Sequence, residues 1–217
     1  MYKSPSKNLV AIALGVLILF GTVFSWLGFR VFGPTTLWTG RAFIITVGTL
    51  LNMILIWLIH REFPPALSWF SQLVFFIGTL GSLLALIGSS FDLLNAMVGH
   101  SLIIWFPLSQ TPSIIVFGYG IVGIWLVLLN FDAQVQAAWP ARVAWLGMIS
   151  GVIMAIGLFA LPRIFIPYVS LSHQLVPELA ELVGTLGWMI VYPIWSIWFG
   201  SVATKDPSRG QQLQGLV

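Results

Sequence analysis

The sequence predicts an all-α polytopic membrane helical bundle: six transmembrane helices forming one domain over residues 1–217, with the N- and C-termini cytoplasmic. Three observations carry that prediction. Hydrophobic residues make up 59% of the 217 and charged residues 7%, with a mean hydropathy of +1.00, whereas a soluble domain devotes about a quarter of its residues to charge. The apolar residues gather into six windows, each near the roughly 20 residues that a helix needs to cross a bilayer core. The 9 basic residues fall unevenly between the two sets of connections. So little charge cannot solvate a globular surface, which excludes a water-soluble enzyme, a nucleic-acid partner and a disordered chain.

The first window, 9–31, follows Lys3 and Lys7 and ends at Arg30 and the Gly33-Pro34 turn. Its apolar run is too long for a signal-peptide core and no small-residue cleavage site follows, so it is expected to be retained. The second, 42–60, runs from Arg41 to His60-Arg61-Glu62, where Pro64-Pro65 prevents helical continuation. The third covers 67–90. The fourth, 113–131, starts after Pro112 and stops at Asn130-Phe131-Asp132. The fifth, 142–162, lies between Pro140 and Pro162, and the sixth, 180–202, follows Pro177 and ends at Lys205-Asp206-Pro207.

Residues 93–107 are apolar but short, and Asp92, Asn95 and His100 interrupt the region. They read as an interfacial helix, a re-entrant segment or a seventh span. Orientation decides between these. With six spans and a cytoplasmic N-terminus, Lys3, Lys7, Arg61, Arg142, Lys205 and Arg209 lie inside, against Arg30, Arg41 and Arg163 outside. A seventh span moves Arg142, Lys205 and Arg209 outside and reverses the bias. The positive-inside rule therefore selects six spans, with 93–107 interfacial or re-entrant.

Lipid tails are as apolar as Leu, so helices in a bilayer associate through close packing and polar contacts. Small residues recur at fourfold spacing in Gly78-Ser82-Leu86, Gly81-Ala85-Ser89 and Gly147-Gly151-Ala155. These rows predict close helix approach. Asn52 and Gln72 are expected to bond across helices, and Tyr119 is the other polar residue deep in a span. Of the 11 Trp, Trp26, Trp38, Trp105, Trp139 and Trp198 fall at predicted span ends, with Trp57, Trp69, Trp145 and Trp188 within a turn or two. That is the placement of an aromatic belt. A ring-stacking site for a quinone or pigment is the alternative.

Candidate ligand-binding residues collect on the predicted outer face: Arg30, Arg41, Asp92, His100, Arg163, His173, Glu178 and Glu181. Asp92 reads either as a counter-ion for Arg30 or Arg41 or as a helix-end carboxylate in interfacial water; at a helix centre it would cost about 2.5–3.5 kcal/mol. Glu178 and Glu181 are three apart on the first turns of the last helix, sharing a face and complementing its dipole. His100 and His173 are the one pair placed for haem ligation, while His60 reads as a helix end. With 0 Cys there is no disulfide or thiolate chemistry. Zinc-helix, Walker, Rossmann and nucleophile-elbow patterns are absent, so no catalytic residue or metal site is assigned, and no cofactor is identified.

From Phe117 to Leu161 the chain reads FGYGIVGIWLVLLNFDAQVQAAWPARVAWLGMISGVIMAIGLFAL, and the last span carries Gly187-Trp188, Tyr192-Pro193-Ile194-Trp195 and Gly200. A Gly-rich helix, a short polar turn and a second Gly-containing helix resemble a broad group of bacterial six-helix integral membrane proteins known by a shared domain of unknown function. The resemblance covers about a third of the chain. It implies six helices in a bacterial cytoplasmic (inner) membrane and no activity to carry over.

Three roles follow as expectations. The first is a non-catalytic accessory, scaffolding or assembly subunit of a larger membrane complex, whose partners are the lipid bilayer and other membrane protein subunits. The second is a small-solute carrier or channel with its polar site on the outer face. The third is a haem-, quinone- or pigment-binding electron-transfer subunit.

Overall fold

The structure is a computed structural model and describes residues 6–28, 34–62, 68–98, 111–136, 138–161 and 175–202. The regular elements among them are all helical: α1 (Ser6–Gly28), α2 (Pro34–Glu62), α3 (Ser68–Val98), α4 (Thr111–Val135), α5 (Ala141–Ala160, its last turn 3-10) and α6 (Leu175–Val202). These six are long and apolar enough to cross a membrane, so the chain is a multi-pass membrane protein.

Helix bounds depart from the hydropathy windows where a polar residue stands at a window's edge. Helix α2 begins at Pro34 rather than near 42, because proline is pre-set for a first helical position and a single Arg41 does not break a helix. Helix α3 runs through Asp92 and Asn95 to Val98. Residues 93–98 are therefore its continuation, and 99–107 lie outside the described residues. Helix α6 starts at Leu175, with Pro177 in the first turn, where no backbone N–H is required.

Each helix packs against the next in sequence, and α6 returns to α1, so the six form a closed ring. Helix α4 is the most enclosed of them, and α1 and α3 are the least. Glycines set the crossings. A Cβ at Gly118 of α4 would lie 2.5 Å from the Ala85 nitrogen and 2.7 Å from the Gly81 oxygen of α3. One at Gly123 would lie 2.5 Å from the Gly151 oxygen of α5, and Gly157 of α5 meets Gly184 of α6 in the same way. The Gly81-Ala85 and Gly151-Ala155 steps of the small-residue rows thus bring backbones together inside the bundle.

Helix α6 is interrupted once. Gly187–Val191 is a π-helical turn between Leu175–Leu186 and Tyr192–Val202. Pro193 supplies the cause, since it has no N–H to give the carbonyl of Met189 four residues back. The helix widens there by one residue: the Tyr192 N–H reaches the Gly187 oxygen. Thr22 Oγ1 of α1 shares its one proton between the Ile18 oxygen of its own helix at 2.9 Å and the freed Met189 oxygen at 3.3 Å. One proline therefore creates both an irregular turn and a tie between the first and last helices.

Candidate functional site

Where the six helices face one another, long buried side chains fill the centre. Helix α2 sends Thr49 and Asn52 inward from one face, three residues apart. Both are fully buried. Asn52 Nδ2 donates to Ser82 Oγ of α3 at 2.7 Å, and Tyr192 OH of α6 donates to Asn52 Oδ1. Thr49 Oγ1 gives its own proton to the Ile45 oxygen at 2.8 Å, so Tyr119 OH of α4 is the donor in the 2.9 Å bond between Tyr119 and Thr49. Four helices are thereby joined by one buried polar cluster.

Around it runs an aromatic column. Trp188 stacks on Tyr119 with 4.7 Å between centroids and 4° between planes, Tyr192 stacks on Trp195, and Trp195 on Phe199. Trp188, Tyr192, Trp195 and Phe199 form one inward stripe of α6, continued across the π turn. Trp188 is 2% exposed, so it belongs to this interior column and not to the aromatic belt predicted for it. Trp38, Trp57, Trp69, Trp145 and Trp198 are exposed at the perimeter, and Trp26 and Trp105 have no described side chain. Trp125 occupies the space left by Gly78, whose Cβ would lie 2.7 Å from the indole.

The sequence paired Asn52 with Gln72 as cross-helix polar groups. Asn52 fills that role. Gln72 is exposed, because the register of α3 turns it outward one turn from the helix start, where its amide reaches the interface rather than another helix.

Of the predicted outer-face cluster, Arg30, His100, Arg163 and His173 lie outside the described residues. The other four are placed, on three helices. Arg41 carries its guanidinium over the Trp38 ring, 5.7 Å from the centroid, and its Nε is buried. Asp92 is half-buried on α3, inside the helix rather than at its end. Glu178 is exposed, whereas Glu181 turns toward α4 and accepts from Ser113 Oγ at 3.1 Å. Arg41 makes no ion pair with a carboxylate among the described residues. Thr39 Oγ1 donates to the Ala96 oxygen at 3.4 Å, which ties the start of α2 to the end of α3 at this rim.

The opposite rim holds a constellation that sequence reading passed over. His60 Nδ1 is 3.0 Å from Ser71 Oγ, and the imidazole stacks on Phe75 at 4.4 Å. With Trp125 and Asp132 these line a cleft of about 30 Å³ between α2, α3 and α4, room for roughly two waters. Asp132 Oδ2 accepts from Gln136 Nε2 at 2.8 Å. His60 and Asp132 each looked like a helix end because each does end an apolar window; that their ends share one rim follows from antiparallel neighbours. The larger groove, about 390 Å³ between α4 and α5, is lined only by apolar side chains such as Ile124, Val152 and Phe159 and is open to the perimeter. Neither the cleft nor the groove is lined by Thr49, Asn52, Ser82, Tyr119 or Tyr192 of the buried cluster, and no group of three or more His, Cys, Asp or Glu able to hold a metal is found among the described residues.

No family model, curated protein or solved structure matches this chain.

Proposed function

We propose that this multi-pass protein is a non-catalytic accessory, scaffolding or assembly subunit of a larger membrane complex. One observation carries the reading: the centre of the ring, where a carrier or channel would place its pathway, is filled by the Asn52–Tyr192–Ser82 and Thr49–Tyr119 bonds and by stacked rings. Its perimeter is a broad apolar surface instead. Along α3, Trp69, Phe76, Leu83, Phe91 and Met97 are exposed, suited to lipid and to the helices of partner subunits. The six-to-three division of basic residues supports cytoplasmic termini, and the resemblance noted above supports a bacterial inner membrane.

The test is purification from native membranes in mild detergent, with a photoreactive residue at Phe76 or Leu83. The expected result is a partner protein retained at fixed ratio and cross-linked from the α3 face. A lone monodisperse monomer with no cross-link would contradict the proposal.

A further inference from the structure

The cleft between α2, α3 and α4 contains two residues whose polar groups are only half used. His60 commits Nδ1 to Ser71 Oγ at 3.0 Å and lays its ring on Phe75, which leaves Nε2. Asp132 commits Oδ2 to Gln136 Nε2, which leaves Oδ1. Neither remaining atom bonds a described residue, and both residues are half-buried rather than sealed. The cleft they line has about 30 Å³, room for roughly two waters. A group that fills so small a space lies against both residues.

Size and charge select that group. An anion is repelled by the Asp132 carboxylate. A zinc-like metal takes three or four protein ligands, and no group of three His, Cys, Asp or Glu is found among the described residues. A guanidinium carries five donors in a rigid fork, whereas a primary ammonium is a compact charge with three donors. The ammonium suits the two acceptors: with the Nδ1 proton given to Ser71 Oγ, Nε2 presents its lone pair beside the carboxylate. The rings of Phe70, Phe75 and Trp125 in the wall favour a cation as well.

Depth points to the source. His60 and Asp132 each end an apolar window, which sets the cleft at headgroup level. Exposed Trp57, Trp69 and Leu73 flank its lining residues Ile56, Phe70 and Val74 in sequence. Arg61, next after His60, is exposed with its guanidinium 5.5 Å from the Trp57 ring. A cation at the rim and an anion in the cleft complement a headgroup that carries phosphate and then amine. We propose that the cleft binds a phospholipid with a primary-amine headgroup: its ammonium enters between His60 and Asp132, its phosphate meets Arg61, and its acyl chains lie along Trp57, Trp69 and Leu73.

The full chain, purified and stripped of lipid, is titrated in native mass spectrometry with phosphatidylethanolamine, its mono- and dimethylated forms, and phosphatidylcholine. One phosphatidylethanolamine is expected to bind about tenfold tighter than phosphatidylcholine, with affinity falling at each added methyl. Asp132→Asn is expected to remove that preference, and circular dichroism reports whether the variant is folded. The methylation series on the natural chain needs no variant. Equal affinity for the two end lipids, or an undiminished preference in folded Asp132→Asn, would overturn the site. Free ethanolamine binding as tightly as phosphatidylethanolamine would overturn the lipid as its source. In native membranes, a carbodiimide that joins carboxylates to touching amines is expected to leave phosphatidylethanolamine on Asp132; a lysine peptide of another protein there would assign the cleft to a protein partner and overturn the lipid.

Discussion

Replacing Gly118 by valine is expected to separate α3 from α4 and to lower stability by about 3 kcal/mol or more. The atoms that a side chain at Gly118 would meet are backbone, the Ala85 nitrogen at 2.5 Å and the Gly81 oxygen at 2.7 Å. Backbone cannot rotate aside as a side chain does, so the helices must move apart along their whole contact. Gly118→Ala meets the same atoms with less bulk and should cost about 1–3 kcal/mol. Gly40 is the control, because a Cβ there meets only the ring of Phe24, at 3.2 Å. Thermal midpoints in detergent, with unfolding by a denaturing detergent as a second measure, check the series. A Gly118→Ala shift no larger than that of Gly40→Ala would mean that the α3–α4 crossing is looser than described.

The second large effect belongs to Asn52. Asn52→Leu keeps most of the volume but strands Tyr192 OH and Ser82 Oγ at the centre of the ring. Hydrogen bonds between transmembrane helices are worth about 0.6 kcal/mol on average and up to about 1.7, so losing two costs about 1–3 kcal/mol. Tyr192→Phe removes one of them. A double-mutant cycle with Asn52→Leu should return a coupling of about 0.6–1.7 kcal/mol. Additive losses, with no coupling, would show that the two side chains do not meet.

How much of this was legible in the sequence differs by scale. Six apolar windows were legible from length, and the distribution of basic residues set aside 93–107 as a seventh span. The Gly81-Ala85 and Gly151-Ala155 steps were readable as close-approach rows. Their counterparts Gly118 and Gly123 sit five apart on α4 because they serve two different neighbours, so no single row contains both. Helix ends were misplaced where Arg41 and Asp92 were read as boundaries, since one polar side chain near a rim is tolerated within a helix. Pro193 was visible, yet the π turn it induces was not, because a proline can also kink a helix. The cross-ring bonds were hidden by distance: Asn52 and Tyr192 are 140 positions apart, and nothing local to either marks the other. Trp188 lies close to a window end in sequence but faces inward, a matter of rotation that proximity to an end does not report.

The outer-face cluster shows the same limit. Shared sidedness grouped Arg41, Asp92, Glu178 and Glu181, but sidedness fixes depth and not direction. Glu181 turns to Ser113 and Arg41 to the α1–α6 seam. At the other rim, His60, Ser71 and Asp132 converge from three helices although none stood out in its own segment.

The account rests most heavily on a sealed centre, and the natural chain suits a direct test because it has 0 Cys. A single Ser82→Cys substitution places one thiol inside the polar cluster, and Gln136→Cys places one at the exposed end of α4. In sealed membranes, a small charged thiol reagent applied from either side is expected to label Gln136→Cys from one side and to leave Ser82→Cys unreacted. Labelling of Ser82→Cys at a rate approaching that of Gln136→Cys would reveal an aqueous path to the centre of the ring and would contradict a non-conducting subunit.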